Sequence, residues 1–348
     1  MAQQPLISAV DLFCGAAGLS LGLKNSGINV VAGIDLDPAC RYAFERNIGA
    51  KFIQSDVCDL RPQELLNLYD GASIRVLAGC APCQPFSGYT TRRRIIDERW
   101  KLLLEFQRLV RDTRPDIVTL ENVPRLLHLP IWHDFVLSLQ MTGYFVAWGI
   151  LDASFYGVPQ IRKRLVLLAS KLGDINLPRS RDKRSVTVKQ AIGALPEISA
   201  GDHSRSDALH ATRALTERNL ARIKMSKPAG TWRDWPEELQ AQCHRTERGR
   251  TYPSVYGRMA WDQPSPTITT QFYGFGNGRF GHPEQHRAIS LREGAILQSF
   301  PRDFEFVPPT QKRISFREIG RLRGNAVPPK LAQAIGEAIV QHADSYAK

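Results

Sequence analysis

The chain has 348 residues, of which 43% are hydrophobic and 23% are charged. These fractions are ordinary for globular proteins, and the length is sufficient for a sizeable core. The formal net charge of +12 favours a polyanionic partner, with nucleic acid ahead of membrane surfaces. The alternative is a protein that is merely basic. Residues 1–10 lack a signal-peptide pattern and no apolar run reaches the ~18 residues of a membrane span, so we predict a cytoplasmic protein without membrane association.

The first half of the chain alternates short apolar runs with amphipathic runs of helical period. The strand-like runs are LISAVDLF, NVVAGIDLD, KFIQSD, IRVLAG and DIVTLENV. This rhythm predicts the α/β class, with a doubly wound, mostly parallel sheet and helices on both faces. Two further apolar runs, at 144–153 and 164–170, flank a turn and predict a hairpin added at the sheet edge.

The composition changes near residue 178. Residues 179–258 contain 16 lysines and arginines against nine acidic residues, with many prolines, glycines and tryptophans. This composition predicts a small, basic domain of irregular structure. We therefore expect a first domain over 1–178, an irregular domain over 179–270, and a return segment over 271–348 whose final helix packs on the first domain.

Three strand ends in the first domain suggest a ligand-binding crevice. Phe13, Gly15 and Gly18 follow the first strand, at the edge where open α/β sheets bind ligands. The glycines do not form a G-x-G-x-x-G pattern, so a tight structural turn is the alternative. Asp35 closes the second strand, where a carboxylate can accept both hydroxyls of a ribose. Asp56 closes the third, although it could equally cap a helix. Together they favour an adenosine-type cofactor.

The stretch GCAPCQPFSG presents Cys80 and Cys83. A zinc site would need a second ligand pair of fitting spacing, which the sequence does not offer. A redox pair would need a helix start, but two prolines and a glycine predict a long loop. That loop continues into Arg92, Arg93 and Arg94, which favours a thiol nucleophile at Cys83 for an anionic substrate. A buried structural role suits Cys80 better, because it ends the strand. All six cysteines are predicted to be reduced thiols.

Acidic and basic side chains follow the next strands. Glu121 closes the fifth strand and would stand beside Cys83 as a proton donor if strands four and five are neighbours. A cap or a solvated residue is the alternative. In QIRKR, Arg162 and Arg164 fall on one face by the period-two rule. Two guanidiniums on one face can hold a carboxylate, a phosphate or a base carbonyl.

Taken in order, these stretches resemble the DNA cytosine-5 methyltransferases, in particular the bacterial type II modification enzymes. The matching motifs are DLFCGAAG, GIDLDP, SDV, PCQPFSG, ENV, QIRKR, SLREGAILQSFP and RGNAVPP. They cover nearly the whole chain. Two departures are small: Ala16 and Ala17 stand where a small residue and glycine are commoner, and Asp35 stands where many relatives have Glu.

The resemblance implies a mechanism. Cys83 attacks carbon 6 of a cytosine, and Glu121 protonates or hydrogen-bonds ring nitrogen 3 and the amino group. Arg164 holds the base carbonyl, and Arg162 supports the geometry of Cys83 and Glu121. Carbon 5 then takes a methyl group from S-adenosylmethionine. A base inside a duplex cannot be reached, so the cytosine must be flipped out.

The resemblance also implies two sets of binding residues and a partner. The cofactor-binding residues would be Phe13, Ala16, Gly18, Asp35, Leu36, Asp56, Val57, Pro82, Leu102, Asn325 and Val327. The substrate-binding residues would be Gln84, Ser87, Arg92, Arg93 and Arg94. Residues 179–270 would form the target recognition domain for double-stranded DNA. We expect a monomer without a metal, and a cognate restriction endonuclease as a further partner. Methylation of transfer RNA and DNA-binding regulation are the alternatives.

Overall fold

The computed structural model describes residues 5–82, 100–180, 185–311 and 313–346. The chain divides into two compact units. The first contains Met1–Tyr156, Lys163–Arg181 and Ala326–Lys348, and the second contains Gly157–Arg162 and Asp182–Asn325. The expected domain boundaries were at residues 178 and 270. The second unit has different bounds, since it also includes residues 157–162 and 271–325.

The first unit is built on a sheet whose described strands number seven. They are β1 (Ile7–Leu12), β2 (Asn29–Asp35), β3 (Lys51–Gln54), β4 (Ile74–Gly79), β5 (Ile117–Asn122), β6 (Phe145–Asp152) and β7 (Lys163–Ser170). Their order is β3-β2-β1-β4-β5-β7-β6. Strands β1 to β5 pair in parallel, whereas β7 pairs antiparallel with β5 and β6. The predicted doubly wound sheet is confirmed, and β6 and β7 form the hairpin at its edge.

Eleven α-helices are present in the described residues. They are α1 (Gly18–Asn25), α2 (Cys40–Ile48), α3 (Pro62–Leu66), α4 (Trp100–Thr113), α5 (Pro130–Met141), α6 (Val188–Ile192), α7 (Glu217–Met225), α8 (Glu247–Arg250), α9 (Leu291–Leu297), α10 (Phe316–Gly324) and α11 (Pro329–Tyr346). Helices α1 to α5 and α11 belong to the first unit. The final helix α11 packs along α1, and a Cβ at Gly22 would overlap Ala332. Glycine therefore permits the close approach of these two helices.

The core of the first unit explains why the parallel strands are continuous apolar runs. Every residue of β1 and of β5 is buried, as expected where helices cover both faces of a sheet. Aromatic side chains fill the space beneath the helices. Phe106 and Trp132 both pack on Phe135, with ring centroids 6.0 and 6.2 Å from it.

The second unit has a smaller aromatic core, in which Trp232, Trp235 and Phe275 are buried. Beside it, the SLREG stretch forms the start of α9: Ser290 caps the helix, and Glu293 makes two bonds of 2.7 Å to the Arg287 guanidinium. Burial acts to raise the pKa of Glu293, but the Arg287 guanidinium outweighs it and lowers that pKa. This motif therefore stabilises the second unit.

Candidate functional site

The carboxyl ends of strands β1 to β5 meet at one edge of the sheet, because these strands are parallel. Following the strand order, this edge presents Asp56, Asp35, the 13–17 loop, Cys80 and Glu121. The strand order reverses direction between β1 and β4, which is where ligands bind in open α/β sheets. The sequence therefore brings its chemically distinctive side chains to the binding edge.

The loop from β1 to α1 has a strained backbone. Phe13 and Ala17 adopt φ angles of 58° and 64°, in the left-handed region, which costs a residue with a Cβ about 1–2 kcal/mol. Phe13 is half-buried and packs against the core. The left-handed φ of Ala17 gives a physical reason why glycine suits this position. At Gly18 a Cβ would overlap the main-chain oxygen of Val327. The absence of a side chain here therefore lets the C-terminal segment pack closely against the loop.

Neighbouring substitutions in this loop should have opposite effects on stability. Ala17→Gly relieves the left-handed strain, partly offset by the larger backbone entropy of glycine in the unfolded chain, and should stabilise the protein by up to about 1 kcal/mol. Gly18→Ala should destabilise it by about 1–3 kcal/mol, because the Val327 main chain must move. Urea denaturation measures both. Equal effects of the two variants would contradict this description of the loop.

Asp35 joins the end of β2 to this loop. Its Oδ2 accepts a hydrogen bond of 2.9 Å from the Gly15 amide, and Oδ1 accepts one of 2.9 Å from the Asp37 amide. The next side chain, Leu36, is 62% exposed, which is uncommon for a large apolar residue beside a sheet core. Asp35 thus fixes the loop, and Leu36 offers an apolar surface next to it.

Asp56 performs the capping role that its position also suggested. Its Oδ1 accepts a hydrogen bond of 2.9 Å from the Cys58 amide at the start of a short 3₁₀ helix. Val57, which follows, is buried in the core of the first unit. The structure therefore gives Asp56 a structural contact at the binding edge.

Glu121 is a deeply buried acidic group at this edge. It lies on β5 and is 3% exposed. The Nε of Arg164, on the adjacent strand β7, lies 2.7 Å from Glu121 Oε1. The Cys80 thiol donates a hydrogen bond of 2.9 Å to the other carboxylate oxygen, Oε2. A buried carboxylate with a cation on one oxygen and a donor on the other is held in one orientation.

Arg162 occupies a different environment. The alternation that places Arg162 and Arg164 on one face requires both in one strand, but β7 begins at Lys163. Arg162 belongs to the second unit and is 2% exposed. Its Nη1 and Nη2 donate to the main-chain oxygens of Ile268 and Gly324, at 2.9 and 3.0 Å. These bonds join three segments of the second unit.

The remaining predicted residues are spread along the chain. Ala16 and Val327 are buried, Leu102 is half-buried on α4, and Pro82 and Asn325 are exposed. Asn325 is the C-cap of α10 and belongs to the second unit. The predicted nucleophile and the predicted substrate contacts lie outside the described residues: Cys83, Gln84, Ser87, Arg92, Arg93 and Arg94.

Comparison with known proteins decides the family. The model of the C-5 cytosine-specific DNA methylase family matches residues 7–341. The chain belongs to this family. It is 47% identical over 337 residues to the Type II methylase M.HgiDII of Herpetosiphon aurantiacus, covering 95% of this chain and 94% of that protein. It is 33% identical to the Type II methyltransferase M1.HphI of Haemophilus parahaemolyticus, covering 96% and 87%.

A solved structure agrees with this assignment. The chain superposes with a TM-score of 0.69 on a prophage-encoded Escherichia coli protein, solved as a proposed DNA modification methyltransferase. The two are 25% identical, and the match covers 97% of this chain and 99% of the other. This family membership accords with the fold class and the motif order that the sequence predicted.

In this member of the methylase family, sequence reasoning missed Asp11. This β1 residue is fully buried, and its Oδ2 accepts a hydrogen bond of 2.6 Å from Ser20 on α1. Burial raises the pKa of Asp11 to about 7, although the Ser20 bond opposes the shift. The sequence indicated Asp11 only weakly. An aspartate near the end of an apolar run can be either a buried strand residue or an exposed residue at the strand end.

The raised pKa of Asp11 predicts a pH-dependent stability. Between the ordinary aspartate pKa of 3.8 and the raised pKa of about 7, the unfolded chain ionises this group and the folded chain does not. The contribution of Asp11 to stability therefore falls as pH rises through this window, by up to about 4 kcal/mol. Asp11→Asn should gain stability relative to the wild type over the same window. Urea midpoints at pH 5 and pH 8 measure this, and a constant difference would contradict it.

The described residues lack two further kinds of feature. No group of three or more His, Cys, Asp and Glu side chains there is arranged to hold a metal ion. None of the helices in the described ranges is long and apolar enough to span a bilayer.

Proposed function

We propose that the protein is a sequence-specific DNA cytosine-5 methyltransferase. It would transfer a methyl group from S-adenosylmethionine to carbon 5 of a flipped-out cytosine through a covalent adduct on Cys83. The observation that supports this best is the buried Glu121, oriented by Arg164 and Cys80 at the binding edge of the sheet. The motif order and the family assignment also support the proposed roles of Cys83 and of S-adenosylmethionine.

The reaction needs a nucleophile and a proton donor, because carbon 5 of cytosine is unreactive until a thiolate adds at carbon 6. The Cys83 thiolate forms the sulfur–carbon 6 bond while Glu121 supplies a proton to ring nitrogen 3. The proton on ring nitrogen 3 returns to Glu121 as carbon 5 takes the methyl group. Loss of the carbon 5 proton to a solvent water acting as base then restores the ring double bond and releases the Cys83 thiolate. S-adenosylmethionine, when bound, supplies the methyl group.

The proposed role of Arg164 is wider than the one implied by the sequence. Its Nε pairs with Glu121, and its Nη1 donates a bond of 2.7 Å to the Lys163 main-chain oxygen. We therefore assign Nη2 to the carbonyl of the flipped base. The same guanidinium would then orient both the acid and the substrate.

The residues at the β1–β2 edge fit an adenosyl group. A Cβ at Gly15 would meet no atom within 4 Å, so open space lies beside the loop. The carboxylate of Asp35 stands at the end of β2, where it can accept ribose hydroxyl groups. The exposed side chain of Leu36 offers an apolar surface for the adenine. These three residues would hold the cofactor.

Double-stranded DNA is the proposed substrate, and residues 179–270 are proposed to choose its sequence. This region carries much of the positive charge of the chain, as expected for phosphate contacts. A monomeric state, a cytoplasmic location and a cognate restriction endonuclease remain predictions; the Type II names of the relatives motivate the last of these.

Asp35→Ala should weaken S-adenosylmethionine binding about ten- to a hundredfold, because a charged hydrogen bond contributes about 1.5–3 kcal/mol. Asp35→Ala also removes the bond to the Gly15 amide. The experiment therefore needs a control for changes in the loop between β1 and α1. Asp37→Ala is the matched control on the same segment. Calorimetry measures both affinities, and equal binding by the wild type and Asp35→Ala would remove Asp35 from the cofactor site.

Methyl transfer to defined substrates tests the proposed function directly. The purified protein is incubated with labelled S-adenosylmethionine and either duplex DNA or transfer RNA. We expect label in DNA alone, at carbon 5 of cytosine within one short sequence, which bisulfite sequencing locates. Label in transfer RNA alone would contradict the proposal. Binding of DNA without any transfer would favour a regulator instead.

A further inference from the structure

Cys80 and its neighbour Ala81 are held by several hydrogen bonds at the end of β4. Its amide donates a hydrogen bond of 3.3 Å to the Leu12 main-chain oxygen. The Asn122 side chain donates a bond of 3.2 Å to the main-chain oxygen of Ala81, the next residue. The chain at Cys80 is therefore tied both to β1 and to β5, and its thiol is presented to Glu121.

Strand register makes this contact a consequence of the sheet. Gly79 on β4 pairs with Leu120 on β5, so the next residues, Cys80 and Glu121, are cross-strand neighbours. Adjacent strands lie about 4.8 Å apart, so side chains at matching positions on one face can touch. The bond between the Cys80 thiol and Glu121 Oε2 is thus a consequence of how β4 and β5 pair.

The two partners of Glu121 differ in which protonation state they favour. The Arg164 guanidinium is always charged and favours only the ionised carboxylate. A thiol is a weak donor, and its sulfur is a weak acceptor. Cys80 can therefore donate to the carboxylate and accept from the carboxylic acid, so that Oε2 keeps a partner in both states. Such a partner keeps Oε2 hydrogen-bonded while Glu121 gives up and regains a proton in each cycle.

We propose that Cys80 is a positioning residue for Glu121: its thiol holds Oε2 in the orientation for proton transfer and accommodates both charge states. This inference rests on the proposed function, because it gives Glu121 the role of proton donor. It assigns Cys80 no contact with the substrate and no covalent chemistry.

Two substitutions at Cys80 separate hydrogen bonding from packing. Cys80→Ser keeps a donor and an acceptor, whereas Cys80→Ala removes both. We expect kcat to fall about tenfold in Cys80→Ala, with the KM values for DNA and cofactor within about twofold of the wild type. Cys80→Ser should recover most of the lost kcat. Cys40→Ala, which removes a buried thiol elsewhere in the first unit, is the control and should leave kcat unchanged.

The dependence on Glu121 is tested in a double mutant. If Cys80 acts through Glu121, Cys80→Ala should add little to the loss caused by Glu121→Gln. In the single variant, the limb of the pH–rate profile that Glu121 sets should also move. A full additional loss in the Glu121→Gln background would overturn the proposal, as would equal kcat values for Cys80→Ala, Cys80→Ser and the wild type. Equal losses in Cys80→Ala and Cys80→Ser would also overturn it, because packing alone would then explain them.

An infrared measurement keeps this inference separate from the proposed function. The difference spectrum between the wild type and Cys80→Ala isolates the S–H stretch of Cys80. We expect this band at lower frequency than that of a free thiol, and Glu121→Gln should shift it. If the band shifts as expected but no DNA is methylated, the proposed function fails and the contact stands. A band at the free-thiol frequency would overturn the contact itself.

Discussion

Cys83→Ala should abolish methyl transfer to DNA almost completely, because the proposed mechanism depends on the Cys83 thiolate adding to carbon 6. Binding of duplex DNA and of S-adenosylmethionine should remain within about threefold of the wild type, since neither interaction uses the thiol. The measurement is label transfer to DNA over several hours, together with two binding titrations.

Cys80→Ser is the matched control for Cys83→Ala, because the two cysteines lie three residues apart in one motif. It should retain most of the activity. If Cys83→Ala kept more than about a tenth of the wild-type rate, another group would have to activate carbon 6. If the same variant also lost DNA binding, its inactivity would not test the chemical step, and Cys83→Ser would then replace it.

Glu121→Gln should reduce kcat by about a hundred- to ten-thousandfold, the usual range for loss of general acid catalysis. The amide keeps the shape of the side chain but cannot supply the proton, and it loses the ion pair with Arg164. The KM for DNA should change much less than kcat, because the loss falls mainly in the transition state. Steady-state kinetics on a duplex with one target site measures both.

The paired guanidinium provides the control for Glu121→Gln. Arg164→Lys keeps a positive charge but loses the planar geometry that meets Oε1, so it should reduce kcat less than Glu121→Gln does. A larger effect of Arg164→Lys would indicate that orientation of the base, and not proton supply, limits the reaction.

Much of the first unit could be predicted from the sequence, because each signal there was local. Buried parallel strands are continuous apolar runs, and LISAVDLF and DIVTLENV correspond to β1 and β5. The position of Glu121 followed from the rule that parallel strands end at one edge. The ion pair with Arg164 required a further fact, the antiparallel insertion of β7 beside β5, which no local pattern contains.

The contacts that the sequence did not predict join distant segments. Arg162 donates to oxygens more than a hundred residues away, and a period-two pattern cannot show where a strand begins. The boundary at Asn325 falls inside the continuous motif RGNAVPP. The bond from Cys80 to Glu121 depends on strand register, which the sequence leaves open until the strand order is known.

Covalent trapping tests the central claim most directly. A duplex carrying 5-fluorocytosine at the target position is incubated with the wild-type protein and S-adenosylmethionine, and the product is digested and analysed by mass spectrometry. Fluorine cannot leave as the proton does, so the adduct persists. We predict a stable complex in which the methylated base is attached to the peptide at Cys83, and none with Cys83→Ala. Attachment at Cys80, or an active wild type that forms no adduct, would contradict the account.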